Sequence, residues 1–431
     1  MMGKQNNDGP KLFYVGVDIE GRIPPDHPLR RVLQAVDFGF VRPLVAPLYG
    51  YNGHVSLDPV VVLKLLFLCF FENVRSEREL MRQLPMRLDW MWFCGMDLES
   101  TPPDHSVLSK ARKRWGEAVF ERVFEQVVGL CQQAGLLEGR TVHADSTQLK
   151  AHASMEARVS RKLWEQLEAG SSETPRVHPS PTDDDEDHPE PHGGSTPEPK
   201  SETQGRGASD SSKTLTALKV NQRLVSSVDP DAAVSTRRPG NPKLGYRDHR
   251  LVDDRQGVIL ATVATAADRD DGAMLGELLE CQRRYTQITP QEVVGDSMYG
   301  TQENYRMLGE AKIKAYLKKR RGKDSPKVSW LELLPAGCRP RRALYLLHRR
   351  QIRAEGSFAE AHERMNHRRC RWRRRWRVQI QCYLVATVQN LKKLIQVRYQ
   401  PRTAAMQNVM GFIDPVLFFI KALRALMISQ I

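Results

Sequence analysis

The sequence lacks the cysteine pairs that mark zinc sites and disulfide-rich folds. Its seven cysteines are scattered along 431 residues, and none of them forms a CxxC pair. Such a pattern indicates neither a zinc site nor a disulfide framework. Scattered thiols are typical of proteins from a reducing cytosol. The cysteines are Cys69, Cys94, Cys131, Cys281, Cys338, Cys370 and Cys382.

The chain also lacks a long uninterrupted apolar run. The most apolar stretch, Pro59 to Phe71, contains Lys64 and is too short to span a bilayer. Lys421 and Arg424 interrupt the stretch from Pro415 to Ile431, which favours a packed or amphipathic helix there. The polar start, MMGKQNNDGPK, has no apolar signal-peptide core. We therefore expect a cytoplasmic protein without a membrane partner.

Negative charge is scarce outside one segment. The chain has 65 Lys and Arg against 51 Asp and Glu, a formal net charge of +14. Ten of the acids but only three of the bases fall between Ser171 and Ser212, so the rest of the chain is still more basic. Such an excess points to an anionic partner, of which DNA is the simplest. The segment itself is rich in Ser, Pro and Gly, and its composition predicts a disordered linker.

Three acids in separate segments of the sequence are candidate metal ligands. Asp145 in TVHADST and Asp296 in EVVGDSMYG each follow a short apolar run, so we expect both at the C-terminal ends of strands. Glu355, in RQIRAEGSFAEA, lies in a segment of helical character. A single such acid would be interpreted as a turn or cap residue. Three converging carboxylates instead form an oxygen-only site for Mg²⁺ or Mn²⁺ and suit phosphodiester chemistry.

Capping signals predict an all-helical region from residue 25 to 137. Asp58 with Pro59 begins one helix, Ser76 begins a capping box, and Asp104 caps a third helix. This region is either a packing domain with a solvated basic face or a domain that binds DNA ends. Its candidate DNA-binding residues are Lys110, Arg112, Lys113 and Arg114.

The second half alternates between strand and helix patterns. From Asp145 onward the predicted order is strand, strand, strand, helix, strand, helix, strand, helix, helix. A turn expected at 254–257 joins the second and third strands into a hairpin. The fold class expected is therefore α/β with an N-terminal all-helical domain and a disordered acidic insert.

The chain resembles bacterial insertion-sequence transposases of the DDE type, which have an N-terminal helical domain and a ribonuclease H-like catalytic domain. The blocks that carry the resemblance run through most of the chain in the family's order. They include HPLRRVLQAVD, TPPDHSVLSKARKRWG, HADSTQLKAHAS, GDSMYGTQENY, EGSFAEAHERMNHRR and VQNLKKL. The resemblance implies a ribonuclease H-like fold and DNA transposition.

The same resemblance implies the site and its partners. Asp145, Asp296 and Glu355 would be the catalytic acids and would bind two Mg²⁺ or Mn²⁺ ions. The substrates would be double-stranded DNA, both element ends and target, handled by a homodimer or higher oligomer near the bacterial nucleoid. The implied domains are a tail at 1–24, the helical domain at 25–137, a catalytic domain at 138–400 interrupted by a linker at 171–212, and a helical tail at 401–431.

Two departures from the family pattern lie near Glu355. Related transposases carry a basic residue, usually Lys, one or two helical turns after the glutamate, and Tyr and Arg before it. Here those places hold His362, His348 and Gln351. Histidine is only partly charged near neutral pH, so contacts to the DNA strand end are weakened by this pattern. Arg353 and His362 are kept as candidate DNA-binding residues.

The densest basic run is RRCRWRRRWR, from Arg368 to Arg377, with Trp372 and Trp376 interleaved. Guanidinium groups bind phosphates bidentately and indoles stack on unpaired bases, which favours DNA contact over a solvated face. The candidates here are Arg371, Arg373, Arg374 and Arg375. A second run supplies Lys318, Lys319 and Arg320.

Two alternatives to a transposase stay open. One is a ribonuclease H-like nuclease that cuts DNA without joining strands. The other is a catalytically weak or inactive transposase-derived protein that only binds DNA. The intact acid trio argues against the second, and a strand-transfer product would separate a transposase from the first.

Overall fold

The computed structural model describes residues 2–3, 18–50, 55–170, 220–235 and 242–398. The expected disordered linker at 171–212 and the expected helical tail at 401–431 lie outside these residues. Within the expected tail at 1–24 the structure describes one short helix, α1 (Ile19–Arg22).

The N-terminal region is helical, as its capping signals predicted. Asp58 Oδ1 accepts a hydrogen bond from the backbone N–H of Val60 at 2.8 Å, and Ser76 Oγ accepts one from Glu79 at 3.1 Å. Both side chains satisfy N–H groups that a helix start leaves unpaired. After α1 the helices are α2 (Pro28–Ala35), α3 (Val41–Val45), α4 (Pro59–Phe71), α5 (Glu77–Gln83), α6 (Leu88–Cys94) and α7 (Ser106–Gln133), with 3₁₀ turns at Phe38–Phe40, Ala46–Leu48 and Leu84–Met86.

Helix α7 contains a break that divides it into the two helices expected from the sequence. Gly116 adopts φ +67° and ψ −179°, which are not helical angles. Glycine tolerates this left-handed φ because it has no Cβ. Leu108 and Trp115 are buried before the break, and Phe120 and Phe124 after it.

The catalytic half is built on a six-stranded mixed sheet. Strand β1 pairs with β5 antiparallel on one side and with β7 parallel on the other, and β7 pairs with β8 in parallel. Strands β4 and β6 both pair with β5, and β2 pairs with β3 in a separate two-stranded sheet. The mixed sheet with a parallel β1, β7, β8 half confirms the ribonuclease H-like α/β fold. The strands are β1 (Thr141–Lys150), β2 (Arg158–Ser160), β3 (Leu224–Ser226), β4 (Ala233–Ser235), β5 (Lys243–Asp253), β6 (Ile259–Ala266), β7 (Glu292–Gly295) and β8 (Lys314–Leu317).

The expectation that the first strand ends at Asp145 is wrong. β1 continues to Lys150, because β5 pairs with it along that whole length, as far as Lys150 opposite Gly245. Only its parallel partner stops early, at His143 opposite Val294. Asp145 therefore lies inside a strand but just past the end of the parallel ladder.

A helical column that packs against the six-stranded sheet carries Glu355. It begins with α11 (Pro340–Arg350), continues through one π-helical turn (Gln351–Glu355), and ends with α12 (Gly356–Arg364). The others are α8 (Arg161–Gly170), α9 (Leu275–Thr286), α10 (Gln302–Glu310) and α13 (Arg375–Arg398).

One hydrophobic core joins the helical region to the sheet. It includes Val127 from α7, Val142 from β1 and Leu391 from α13. The rings of Phe124 and Tyr383 lie 5.7 Å apart across the contact between α7 and α13. The residues on the two sides of the expected domain boundary at 137/138 therefore pack together in one core. In the described part of the chain, we find no helix that combines the length and apolarity needed to cross a membrane.

Candidate active site

Strand register places Asp145 beside Asp296. The parallel ladder between β1 and β7 ends with His143 opposite Val294. Each acid lies two residues beyond its member of that pair, and side chains two residues apart on a strand share a face. The register therefore places both acids at the same end of the parallel strands.

The electrostatics of Asp145 show that the third acid is also near. The residue is buried, with 9% of its surface exposed. Burial is the main cause that raises the pKa of Asp145 to about 7, and the charges of Asp296 and Glu355 raise it further. Arg350 opposes this shift. The charges of Asp296, at the end of β7, and of Glu355, in the α11–α12 column, thus both act on Asp145 in β1.

A π-helical turn brings Arg350 into this acid cluster. In a π-helix hydrogen bonds join residues five apart, so Arg350 and Glu355 lie one such turn apart. Arg350 Nη2 donates to Glu355 Oε1 at 2.8 Å, and Nη1 lies 3.0 Å from Asp145 Oδ2. The guanidinium is buried and bridges the two acids. No local pattern indicates this contact, because the 3.6-residue period of an α-helix puts residues five apart on different faces.

The three carboxylates lie near one another, but their oxygen atoms are not all close enough together to bind one metal ion. Asp296 Oδ1 accepts the backbone N–H of Met298 at 2.8 Å, and the Glu355 side chain is 51% exposed. Among the described residues, the one group of three potential metal ligands whose ligand atoms lie within 4.8 Å of one another is found elsewhere. The Arg350 guanidinium lies between the carboxylates of Asp145 and Glu355 and offsets part of their negative charge. The oxygen-only donor set fits hard divalent cations.

The tighter group consists of Asp248, His367 and Cys382, all buried. Its carboxylate is already satisfied. Asp248 Oδ2 accepts from Arg250 Nε at 2.8 Å and lies 2.9 Å from His367 Nε2, while Oδ1 accepts from Thr262 Oγ1 at 2.6 Å. This arrangement is a buried polar network that holds the sheet to the segment after α12.

Two family models match the chain, and together they cover more than half of it. Residues 17–114 match the model described as Transposase domain (DUF772), and residues 229–391 match the model described as Transposase DDE domain. Residues 229–391 thus form a transposase DDE domain, and a second transposase domain precedes it. Its reaction is DNA transposition, and enzymes of this family use divalent metals.

The second match contains Asp296 and Glu355 but begins after Asp145. The assignment of Asp145 to the site therefore rests on the strand register and on its electrostatic interaction with the other two acids. None of the curated proteins compared with the transposase matches it. A cryo-EM structure of piggyBac transposase in a synaptic complex with hairpin DNA is similar at 9% identity over 93% of this chain and 81% of that chain, with a TM-score of 0.36. A likeness that weak carries no argument.

His362 does not supply the positive charge found at this place in related transposases. Its ring stacks on Phe358, and Nε2 lies 3.3 Å from Thr147 Oγ1. Burial is the main cause that lowers the pKa of His362 to about 4, and His367 and Arg368 add to the shift. This lowered pKa favours the neutral imidazole, and DNA contact by His362 stays a prediction. His348 and Gln351, the other two departures, are exposed.

Two of the expected DNA-binding arginines are structural. Arg112 is buried with 3% exposure, pairs with the buried Glu77, and lies 3.9 Å from the ring of Trp372. Arg371 lies over the Phe70 ring and donates to the backbone oxygen of Val74 at 2.7 Å. Arg112 is buried and Arg371 is partly buried, and other protein groups engage both guanidinium groups. Trp372 is also buried, which rules out the expected stacking on bases.

The other candidate cations are exposed or partly exposed, and several are paired. Lys110, Lys113 and Arg114 lie on one side of α7 before its break. Arg320 Nη2 lies 2.6 Å from Asp270 Oδ2, and Lys319 Nζ donates to the Val328 oxygen. The rest are Lys318 (exposed), Arg353 (donating to Arg255 O), Arg373 (donating to His152 O), Arg374 (near Asp231) and Arg375 (near Glu117). DNA contact by these residues stays a prediction.

The sequence DPDA, at 229–232, caps the helix that follows the basic run. Asp229 Oδ1 accepts the backbone N–H of Arg374, and Asp231 Oδ2 accepts that of Arg375, both at 2.9 Å. Asp229 also accepts the hydroxyl of Tyr246 at 2.6 Å. Carboxylates favour the positive end of a helix dipole, so this motif stabilises the start of α13.

Replacing Arg371 with Met is expected to destabilise the fold by about 2–3 kcal/mol, because the charged donor to the Val74 oxygen is lost. Binding of DNA by the folded fraction should be unchanged. Replacing Arg373 with Met should leave stability unchanged and reduce the salt slope of DNA binding by about 0.9. Urea unfolding and binding titrations at several salt concentrations separate the two. A stable Arg371→Met protein with a reduced salt slope would contradict this assignment.

A pH dependence follows from Asp145. Its pKa of about 7 in the folded state lies above that of the unfolded chain. The folded state therefore retains this proton more tightly, and its stabilising effect is present below about pH 4 and is lost as the pH rises through about 7. In EDTA, Asp145→Asn should gain about 2–3 kcal/mol of stability over the wild type between pH 5 and pH 8. Thermal unfolding of both proteins checks this. A difference that does not vary with pH would mean that Asp145 is ionised throughout.

Proposed function

We propose that this transposase hydrolyses phosphodiester bonds at the ends of its mobile element and joins the freed 3′-hydroxyls to target DNA. Two observations support the proposal: strand register puts Asp145 and Asp296 at the same end of the parallel strands, and the Arg350 guanidinium contacts both Asp145 and Glu355. Two divalent cations, Mg²⁺ or Mn²⁺, held by these acids would activate the attacking oxygen and stabilise the leaving one.

The reaction has two phosphoryl transfers. In the first, the oxygen of water bonds to phosphorus, the P–O3′ bond breaks, and the departing 3′-oxygen takes a proton. In the second, the freed 3′-hydroxyl attacks a target phosphate, loses its proton, and displaces a target 3′-oxygen. Neither step needs a redox partner, which agrees with a site made of carboxylates.

The residues of the chain prepare both steps. Asp145 and Glu355 both contact the Arg350 guanidinium, so a divalent cation bound by these acids would move the guanidinium away from them. An arginine next to the scissile phosphate is well suited to hold its oxygens. Lys110, Lys113 and Arg114 offer phosphates an exposed basic face. DNA ends and target DNA are the proposed partners, handled near the bacterial nucleoid by a homodimer or higher oligomer.

A strand-transfer assay tests this function. The full chain is incubated with Mg²⁺, a labelled DNA fragment carrying the element's end, taken from the sequence flanking the reading frame, and a target plasmid. We expect cut ends and then a joined product. Cut ends without joining would identify the nuclease alternative. Binding without cutting would identify the DNA-binding alternative.

A further inference from the structure

Asp254, in the hairpin turn between β5 and β6, contacts the elements that carry two of the three acids. On the β1 side its backbone N–H donates to the Thr141 oxygen at 3.0 Å, and Oδ1 lies 2.8 Å from His143 Nε2. On the helical side Arg349 Nε donates to the same Oδ1 at 2.6 Å, and Arg349 Nη2 donates to the Asp254 oxygen at 2.8 Å.

These contacts lie close to the acids along the chain. His143 is fully buried and lies two residues before Asp145, on the same face of β1. Arg349 directly precedes Arg350, whose guanidinium bridges Asp145 and Glu355. A single carboxylate therefore connects the strand of one acid to the helical column of another.

We propose that Asp254 is a positioning residue that fixes the Glu355 column against the Asp145 strand and so sets the spacing of the metal-binding acids. The proposal rests on the proposed function of those acids. Glu355 itself is half exposed, so packing of its own side chain does not define its place. Its position depends on the column around it.

Other contacts hold the column to the fold, which limits what Asp254 does. Ala354 and Phe358 are buried, and Arg353 Nη2 donates to the Arg255 oxygen at 2.7 Å. Loss of Asp254 should therefore loosen the column without unfolding the protein. Groups that orient metal ligands typically change metal affinity 10–100-fold when they are replaced. We therefore expect the loss of Asp254 to change metal affinity and the mobility of the column more than the free energy of unfolding.

The test compares Asp254→Ala and Asp254→Asn with the wild-type full chain in two measurements. The first is amide hydrogen exchange over residues 340–364, and the second is Mn²⁺ binding followed by the EPR signal of the free ion. For Asp254→Ala we expect faster exchange in that stretch and a Mn²⁺ dissociation constant raised about tenfold or more. Asp254→Asn, which keeps one acceptor oxygen, should show a smaller change in both.

The control is Glu138→Gln, which removes an exposed ion pair with Arg255 in the same turn and touches neither acid-bearing element through its side chain. It should leave exchange at 340–364 and Mn²⁺ affinity as in the wild type. Combining Asp254→Ala with Arg349→Met should be no worse than Arg349→Met alone, because both changes remove the same link.

Unchanged exchange at 340–364 or unchanged Mn²⁺ affinity in folded Asp254→Ala would overturn the proposal. If that variant fails to fold, Asp254→Asn decides by the same two criteria. A wild type that binds no Mn²⁺ would instead remove the proposed function of the acids. The exchange measurement would then still decide whether Asp254 fixes the column.

Discussion

Replacing Asp145 or Asp296 with Asn, or Glu355 with Gln, is expected to lower cleavage of element-end DNA by at least roughly a thousandfold. The amides keep the shape of the acids but lose the negative charge that holds hard cations. Activation of the attacking oxygen should therefore fail in each variant. A nicking assay in Mg²⁺ and in Mn²⁺ measures the effect.

DNA binding should survive these changes, because it depends on basic surfaces away from the acids. It should strengthen slightly where an acid facing a phosphate is neutralised. The losses should not multiply in double variants, since the three acids act as a unit. Exposed Glu303, which pairs with Arg306 on α10, provides a matched control as Glu303→Gln. Near-normal cleavage by any one acid variant would remove that residue from the site.

The second large effect is expected on stability, from Arg250→Met. Arg250 is fully buried, lies opposite Asp145 in the sheet, and donates to Asp248 at 2.8 Å and to Gln389 at 2.9 Å. Although burial favours the neutral acid, Arg250 and His367 hold the pKa of Asp248 at about 2. Removing Arg250 leaves a buried carboxylate without its cation, which costs about 3–5 kcal/mol. That is a large part of a typical domain's stability.

Urea unfolding measures this loss, with Arg255→Met as the control. Arg255 pairs with Glu138 at the surface, where both side chains are about half exposed, so its replacement should cost well under 1 kcal/mol. Replacing Asp248 with Leu as well should recover part of the loss, since the unpaired charge is then gone. A small effect of Arg250→Met would mean that Asp248 takes up a proton or that water reaches it.

The sequence allowed the acid pair on the sheet to be predicted because the pattern was local. Short apolar runs before Asp145 and Asp296 identify strands, and acids after such runs converge when the strands are parallel neighbours. The end of β1 was misplaced because its antiparallel partner, β5, lies about a hundred residues further along the chain. No local pattern at Asp145 records that pairing.

The roles of the arginines could not be predicted for a related reason. A run of charges does not tell which members find buried partners. Arg112 forms an ion pair with Glu77 on another helix. Arg371 donates hydrogen bonds to backbone oxygens near the end of α4. Arg350 reached the acids only because a π-helical turn shifts the helical phase by one residue. Such turns have no signal in hydrophobic periodicity.

Iron-directed cleavage tests whether Asp145, Asp296 and Glu355 together hold divalent cations. Fe²⁺ bound to the full chain, with ascorbate and peroxide, releases radicals that cut the backbone next to the metal. We predict cuts near residues 145, 296 and 355, which excess Mg²⁺ suppresses and Asp145→Asn removes. Cuts near Asp248, His367 and Cys382 instead, or cuts that Mg²⁺ does not suppress, would contradict the claim.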